Sequence, residues 1–327
     1  MDEAAADRLA TLIESSDLAG LVRLVDAEAR DRRWEALVDI AERCREAVER
    51  GKQVWAIAHY AEYRLALEAP AAYAGAVVGD EGAGLSLGPL WEVAATTHTW
   101  DDLEPHLGAP ASRALVAHER VLHGEAVDPS TIDPRVVDLP LSVMSWEPAY
   151  ATAVYRVDGA DFPQNPGPSL EWVTLPPSGR PAEEDDAVHA LLDLVRPWSD
   201  ESSGRAVAVA VEGNALEAVA ALGPRRARVS EATLEQALAA MAWAGASGGA
   251  FGRRRGGPVG RSGAWWVLTA LLGYDEPPTE REWGTEGRDL EWVLWDPGDQ
   301  VGGWSLHLAI ADPDDGLAWA MSAVDMR

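Results

Sequence analysis

Cysteine occurs once, at Cys44, so the chain cannot close a disulfide on itself. That excludes a small disulfide-stapled scaffold and favours an intracellular, cytoplasmic setting. Lysine is almost missing: of 27 basic residues only Lys52 is not arginine. With abundant Ala and Gly, this bias reads as GC-rich coding, so arginine in place of lysine says little about any one position. Phenylalanine occurs twice against 15 tryptophans, so an aromatic core or binding surface must be built mostly from Trp. No uninterrupted apolar run approaches the roughly 18 residues of a membrane span. The start, "MDEAAADRLA", lacks a basic stretch followed by an apolar one, and no secretory signal is expected there.

Positive charge is also scarce. The 54 acidic residues outnumber the basic ones twofold, for a formal net charge of -27. A field of that sign repels nucleic acid and anionic membranes. What remains is ordinary for a globular protein: 47% hydrophobic and 25% charged residues over 327 positions.

Residues 1–125 read as helices in a repeat-like arrangement. In "RRWEALVDIAERCREAVERG" the residues Trp34, Leu37, Ala41, Cys44 and Val48 repeat at three- and four-residue steps, one face of an amphipathic helix. Cys44 lies on that stripe and is expected as core. Gly51 ends the helix, and a second from Gln53 to Pro70 makes an antiparallel hairpin with it. Thr99 and Asp102 have capping-box spacing. Residues 126–182 are proline-rich, with short strands expected at Ala153–Val157 and Leu170–Thr174. Residues 183–327 read as a mixed α/β domain. Strands at Arg205–Gly213 and "RRARVS" alternate with helices at "NALEAVAALG" and "EATLEQALAAMAWAG", the latter capped near Ser230 or Thr233. The end, "LEWVLWD", "WSLHLAIAD", a "PDDG" turn and "LAWAMSAVD", reads as an antiparallel meander, with Gly316 suited to positive φ. The fold class is therefore α+β.

One segment stands out against the acidity, "SGGAFGRRRGGPVGRSGAWW". Gly256, Gly257 and Gly260 allow close approach of a ligand. A helix is expected to begin near Ser262 and Gly263. Its free N–H groups, flanked by Arg255 and Arg261, compose an anion site, with Trp265 or Trp266 as a stacking face. Arg253 and Arg254 complete the candidate set. The bland alternative is a flexible inter-helix connection whose arginines neutralise the surrounding acids.

Other patterns lack their context. "GGPVGRS" is one residue short of a P-loop and carries Arg261 for lysine. "GASGG" matches a nucleophile elbow around Ser247, with His307 as the only histidine in the last third, but helix precedes it where a strand is required. In "HERVLH" the histidines are five apart, about 140° around a helix, and cannot readily share a metal; a surface helix is the plain reading. "DPDDG" lacks an EF-hand register and reads as a turn. No metal and no cofactor are expected.

The segment "WAGASGGAFGRRRGGPVGRSGAWWVLTALLG", with the Trp-rich meander after it, resembles an uncharacterised family of high-GC bacterial proteins sharing an "SGGA...GR..AW..L.AL.G" pattern between two helices. The resemblance covers the last third of the chain and carries no known activity. The function expected from the residues is a non-enzymatic binding or scaffold protein whose Arg/Gly-rich segment recognises a protein partner. The alternative is an enzyme or binder acting on a phosphorylated or nucleotide-like small molecule, a small anionic ligand.

Overall fold

A computed structural model describes residues 3–79, 87–164, 169–183, 185–274, 280–298 and 303–326. The chain divides into two compact units. The first comprises Met1–Val136 with Ala153–Phe162, and the second Val137–Thr152 with Pro163–Arg327. The proline-rich stretch thus contributes to both.

The first unit is helical: α1 (Glu3–Glu14), α2 (Leu18–Arg30), α3 (Trp34–Glu49), α4 (Trp55–Glu68), α5 (Ala71–Val77), α6 (Leu90–Thr97), α7 (Trp100–Leu103) and α8 (Pro110–Leu122), with a small hairpin of β1 (Val154–Arg156) and β2 (Gly159–Asp161). Asp17 caps α2 by accepting the Gly20 N–H at 2.9 Å, satisfying a donor that a helix start otherwise leaves open. The α3–α4 hairpin forms as its periodicity predicts. Leu37, Ile40, Ala41 and Cys44 are buried against Ile57, Ala61 and Leu65. Burial pushes the Cys44 thiol up to about 12, so it stays protonated and unreactive. Thr99 and Asp102 do form the capping box of α7. The two histidines depart from the surface reading: His118 on α8 is buried, and only His123, the residue that caps its end, keeps partial exposure.

The second unit holds a seven-stranded sheet built from β3 (Glu171–Thr174), β4 (Arg180–Pro181), β5 (Arg205–Glu212), β6 (Arg226–Ala232), β7 (Glu291–Asp296), β8 (Gly303–Asp312) and β9 (Leu317–Met326). Its order is β3-β6-β7-β8-β9-β5-β4, and every pairing is antiparallel. The alternation of β8 sorts its side chains. Leu306, Leu308 and Ile310 face a core shared with α9 (Asp186–Asp200), α11 (Leu234–Ser247), α12 (Gly257–Leu271) and α13 (Glu280–Asp289). Ala309 and Ala311 face the opposite side, beneath α10 (Ala215–Ala221). The α+β class and the terminal meander hold, and Gly316 takes φ 65° in the β8–β9 turn.

Two boundaries move. Glu231 and Ala232 finish β6, and Thr233 caps α11 with Gln236 reciprocating. More consequential, α12 begins at Gly257, not near Ser262. Glycine is a poor helix former, but here tertiary packing decides. A Cβ on Gly260 would lie 2.1 Å from the Ala242 carbonyl oxygen, so its absence lets α12 press against α11.

Candidate functional site

The early start of α12 splits the predicted site. Arg261 falls inside the helix and is fully buried, and Trp265, one turn on, is also buried. Arg261 donates from Nε to Glu147 Oε2 at 2.8 Å and from Nη2 to Glu147 Oε1 at 2.6 Å. Its remaining donors reach the Pro140 and Ser142 carbonyls at 3.1 and 2.7 Å. Trp265 Nε1 and the Tyr150 hydroxyl each donate to Glu147 Oε2 at 2.8 Å. The Met144 N–H fills Oε1 at 2.9 Å. Burial alone would raise the Glu147 pKa, but Arg261 and the converging donors hold it below the usual carboxylate range. Burial, reinforced by the Glu147 charge, keeps the Tyr150 phenol well above its ordinary range. This centre pins residues 140–150 to α12. Trp146, Trp265 and Trp283 pack around it with ring centroids 4.7 to 6.4 Å apart. Arg261 and Trp265 therefore face inward, where no external anion meets them.

What the segment presents to solvent lies before the helix. Gly248, at φ 72°, ends α11 in the left-handed conformation, and a Cβ there would lie 1.7 Å from the Arg253 carbonyl oxygen. The chain folds back tightly through this glycine. The Ala250 N–H donates to Asp325, a fully buried carboxylate on β9 that also accepts the Ser203 hydroxyl at 3.2 Å. The Phe251 N–H donates to Ser202 Oγ at 3.1 Å. At the far end the N–H groups of Arg255 and Gly256 both reach the Ala246 carbonyl, at 2.8 and 3.3 Å. Between these anchors Phe251 is 60% exposed. Arg253 is exposed, and Arg255, also exposed, lies 3.6 Å from Glu201. Arg254 is half-buried, as is Ser262 on α12.

The remaining sequence candidates serve packing. Ser247 is buried, donates to the Ala244 carbonyl at 2.8 Å and accepts Trp198 Nε1 at 3.1 Å, so its hydroxyl is not poised as a nucleophile. His307 packs on Trp295, ring centroids 4.7 Å apart, and among the described residues its Nδ1 has no hydrogen-bond partner. Burial lowers its pKa to about 4, against a small opposing pull from Asp296. Among the described residues no group of three or more His, Cys, Asp or Glu is arranged to hold a metal, and no helix is long and apolar enough to cross a membrane.

Sequence reasoning missed a second surface. At the other end of α9 and α12 lies an open cavity of about 750 Å³. Seven carboxylates line it, from Asp185, Asp186, Glu286, Asp289, Asp312, Asp314 and Asp315, and among the described residues none that lines it is basic. Asp185 accepts Trp319 Nε1 at 2.9 Å, Glu286 accepts the Tyr274 hydroxyl at 2.8 Å, and Asp312 accepts the Asp314 and Asp315 N–H groups. Trp266, 53% exposed, forms an aromatic wall. The signal was present as "PDDG" and "EEDDAV", but each taken singly is a turn or a helix start. Only the sheet brings the β8–β9 turn beside the start of α9.

Comparison with curated proteins and with solved structures finds no match for the chain. A family model does match it, over residues 19–327, nearly the whole length. The chain belongs to that family, a family of unknown function designated DUF6183.

Proposed function

We propose that this chain is a non-enzymatic binding protein, and that the loop at residues 248–256 is its recognition element for a protein partner. The observation that supports this is a large aromatic side chain, Phe251, held 60% exposed beside an exposed arginine on a backbone anchored at both ends. Aromatic and arginine side chains dominate binding energy at interfaces. A loop already fixed in its bound shape avoids much of the ordering cost of association. Such a loop fits a partner with an apolar pocket rimmed by carboxylates, where the ring fills the pocket and the guanidinium meets the rim.

The role of the glycines follows. They let the chain turn tightly and let α11 and α12 approach, and so fix the loop between the two helices. Arg261 and Trp265 act behind it, tying α12 to residues 140–150.

The test is affinity capture from a native lysate with the full chain and a Phe251→Ser, Arg253→Ser variant. Both positions are exposed, so the melting temperature should be unchanged while captured partners are lost. Capture of the same proteins by the variant would contradict the reading.

A further inference from the structure

The loop and the carboxylate-lined cavity have complementary chemistry and lie at opposite ends of the same unit. Helix α9 begins in the cavity, at Asp186, and ends near the loop, where Glu201 and Ser202 contact Arg255 and Phe251. Helix α12 runs the other way, from Gly257 after the loop to Leu271 in the cavity wall. Trp266, where α12 first lines the cavity, follows Gly257 by nine residues, about 14 Å along the helix. The loop is anchored on Asp325, Ser202 and Ala246, so it cannot reach its own cavity.

We propose that the basic loop of one copy docks in the carboxylate-lined cavity of a second copy, so that the protein associates head to tail. This rests on the loop being a recognition element, and it names the partner as the chain itself. The Phe251 ring packs against the half-exposed Trp266 indole, with an aromatic pair's preference for offset or edge contact. Arg253 meets the carboxylates of Asp289, Asp314 and Asp315, which are exposed and have no ion-pair partner among the described residues. The cavity, about 750 Å³, is of a size that encloses compact groups of this bulk. The overall charge of -27 opposes association at long range. At physiological salt, however, screening over about 8 Å leaves the local complementarity to decide at contact. Because the two surfaces differ, the contact is heterologous and extends from copy to copy unless a ring closes.

Sedimentation velocity on the full chain tests this, with two charge-reversed variants. One carries Arg253→Glu and Arg255→Glu in the loop, the other Asp314→Arg and Asp315→Arg in the turn; all four positions are exposed. The wild type should show an average mass that rises with concentration above the 35.0 kDa of one chain. Each variant alone should remain monomeric, since like charges then meet at the contact. An equimolar mixture should associate again, because each variant supplies the surface the other lacks. A wild type that stays at 35.0 kDa at every concentration overturns the proposal. So does association that neither variant weakens, or a mixture that stays monomeric. If the wild type is monomeric but the loop variant loses a captured partner, self-docking is wrong and the recognition reading stands. If it associates through the loop and cavity but captures nothing else, both stand, with the chain as its own partner.

Discussion

Two buried polar residues show how little a residue type says without its surroundings. Arg261 lies in the most basic stretch of the chain, yet it is fully buried and bonded to Glu147. Removing one partner leaves a buried charge uncompensated, so Arg261→Ala is expected to cost about 3–5 kcal/mol in urea unfolding. Removing both Arg261 and Glu147 should cost less than the sum of the single changes, as groups in one network couple. His307 gives a pH dependence. Its pKa in the folded chain is about 4, against 6.5 when unperturbed, so between those values the unfolded chain binds the extra proton. Stability is fully present above 6.5 and falls as the pH drops toward 4, by about 3 kcal/mol from this group. Comparing wild type with His307→Leu at pH 7 and pH 4.5 checks this. The variant should lose less stability on acidification, and an equal loss in both would contradict the assignment.

At the scale of elements, glycine at the α11–α12 contact is a packing residue. Gly260→Ala places a Cβ against the Ala242 carbonyl. It should lower stability by about 1–3 kcal/mol, read as a shift in the denaturation midpoint. The same contact explains what was legible in the sequence. The α3–α4 hairpin, the Thr99 cap and the β7–β8–β9 meander were readable because their signals are local: a three-to-four-residue stripe, a capping pair, short apolar runs with a turn between. The start of α12 was not, because Gly260, which argues for a loop, is accommodated by Ala246 and Ala242 on α11, 14 and 18 residues earlier in the chain. Nor was Glu147, which lies 114 residues before Arg261 in a stretch that reads only as proline-rich connection. Of the candidate site, Arg253 and Arg255 remain presented to solvent while Arg261 and Trp265 lie inside. Phe251, the group that most distinguishes the loop, stands in the sequence as a single apolar residue between glycines and arginines, with no local pattern to mark it.

At the scale of the molecule, the second unit has one basic, aromatic end and one acidic end, with α9, α12 and the sheet between them. The central claim is that the glycine-rich segment is a fixed platform that presents Phe251 and Arg253, not a flexible connection. Hydrogen exchange across residues 248–256 measures this without knowledge of any partner. The account predicts slowed exchange at the amides of Ala250, Phe251, Arg255 and Gly256, whose acceptors are Asp325, Ser202 and the Ala246 carbonyl. Exchange at these four amides as fast as in an unstructured peptide would contradict it.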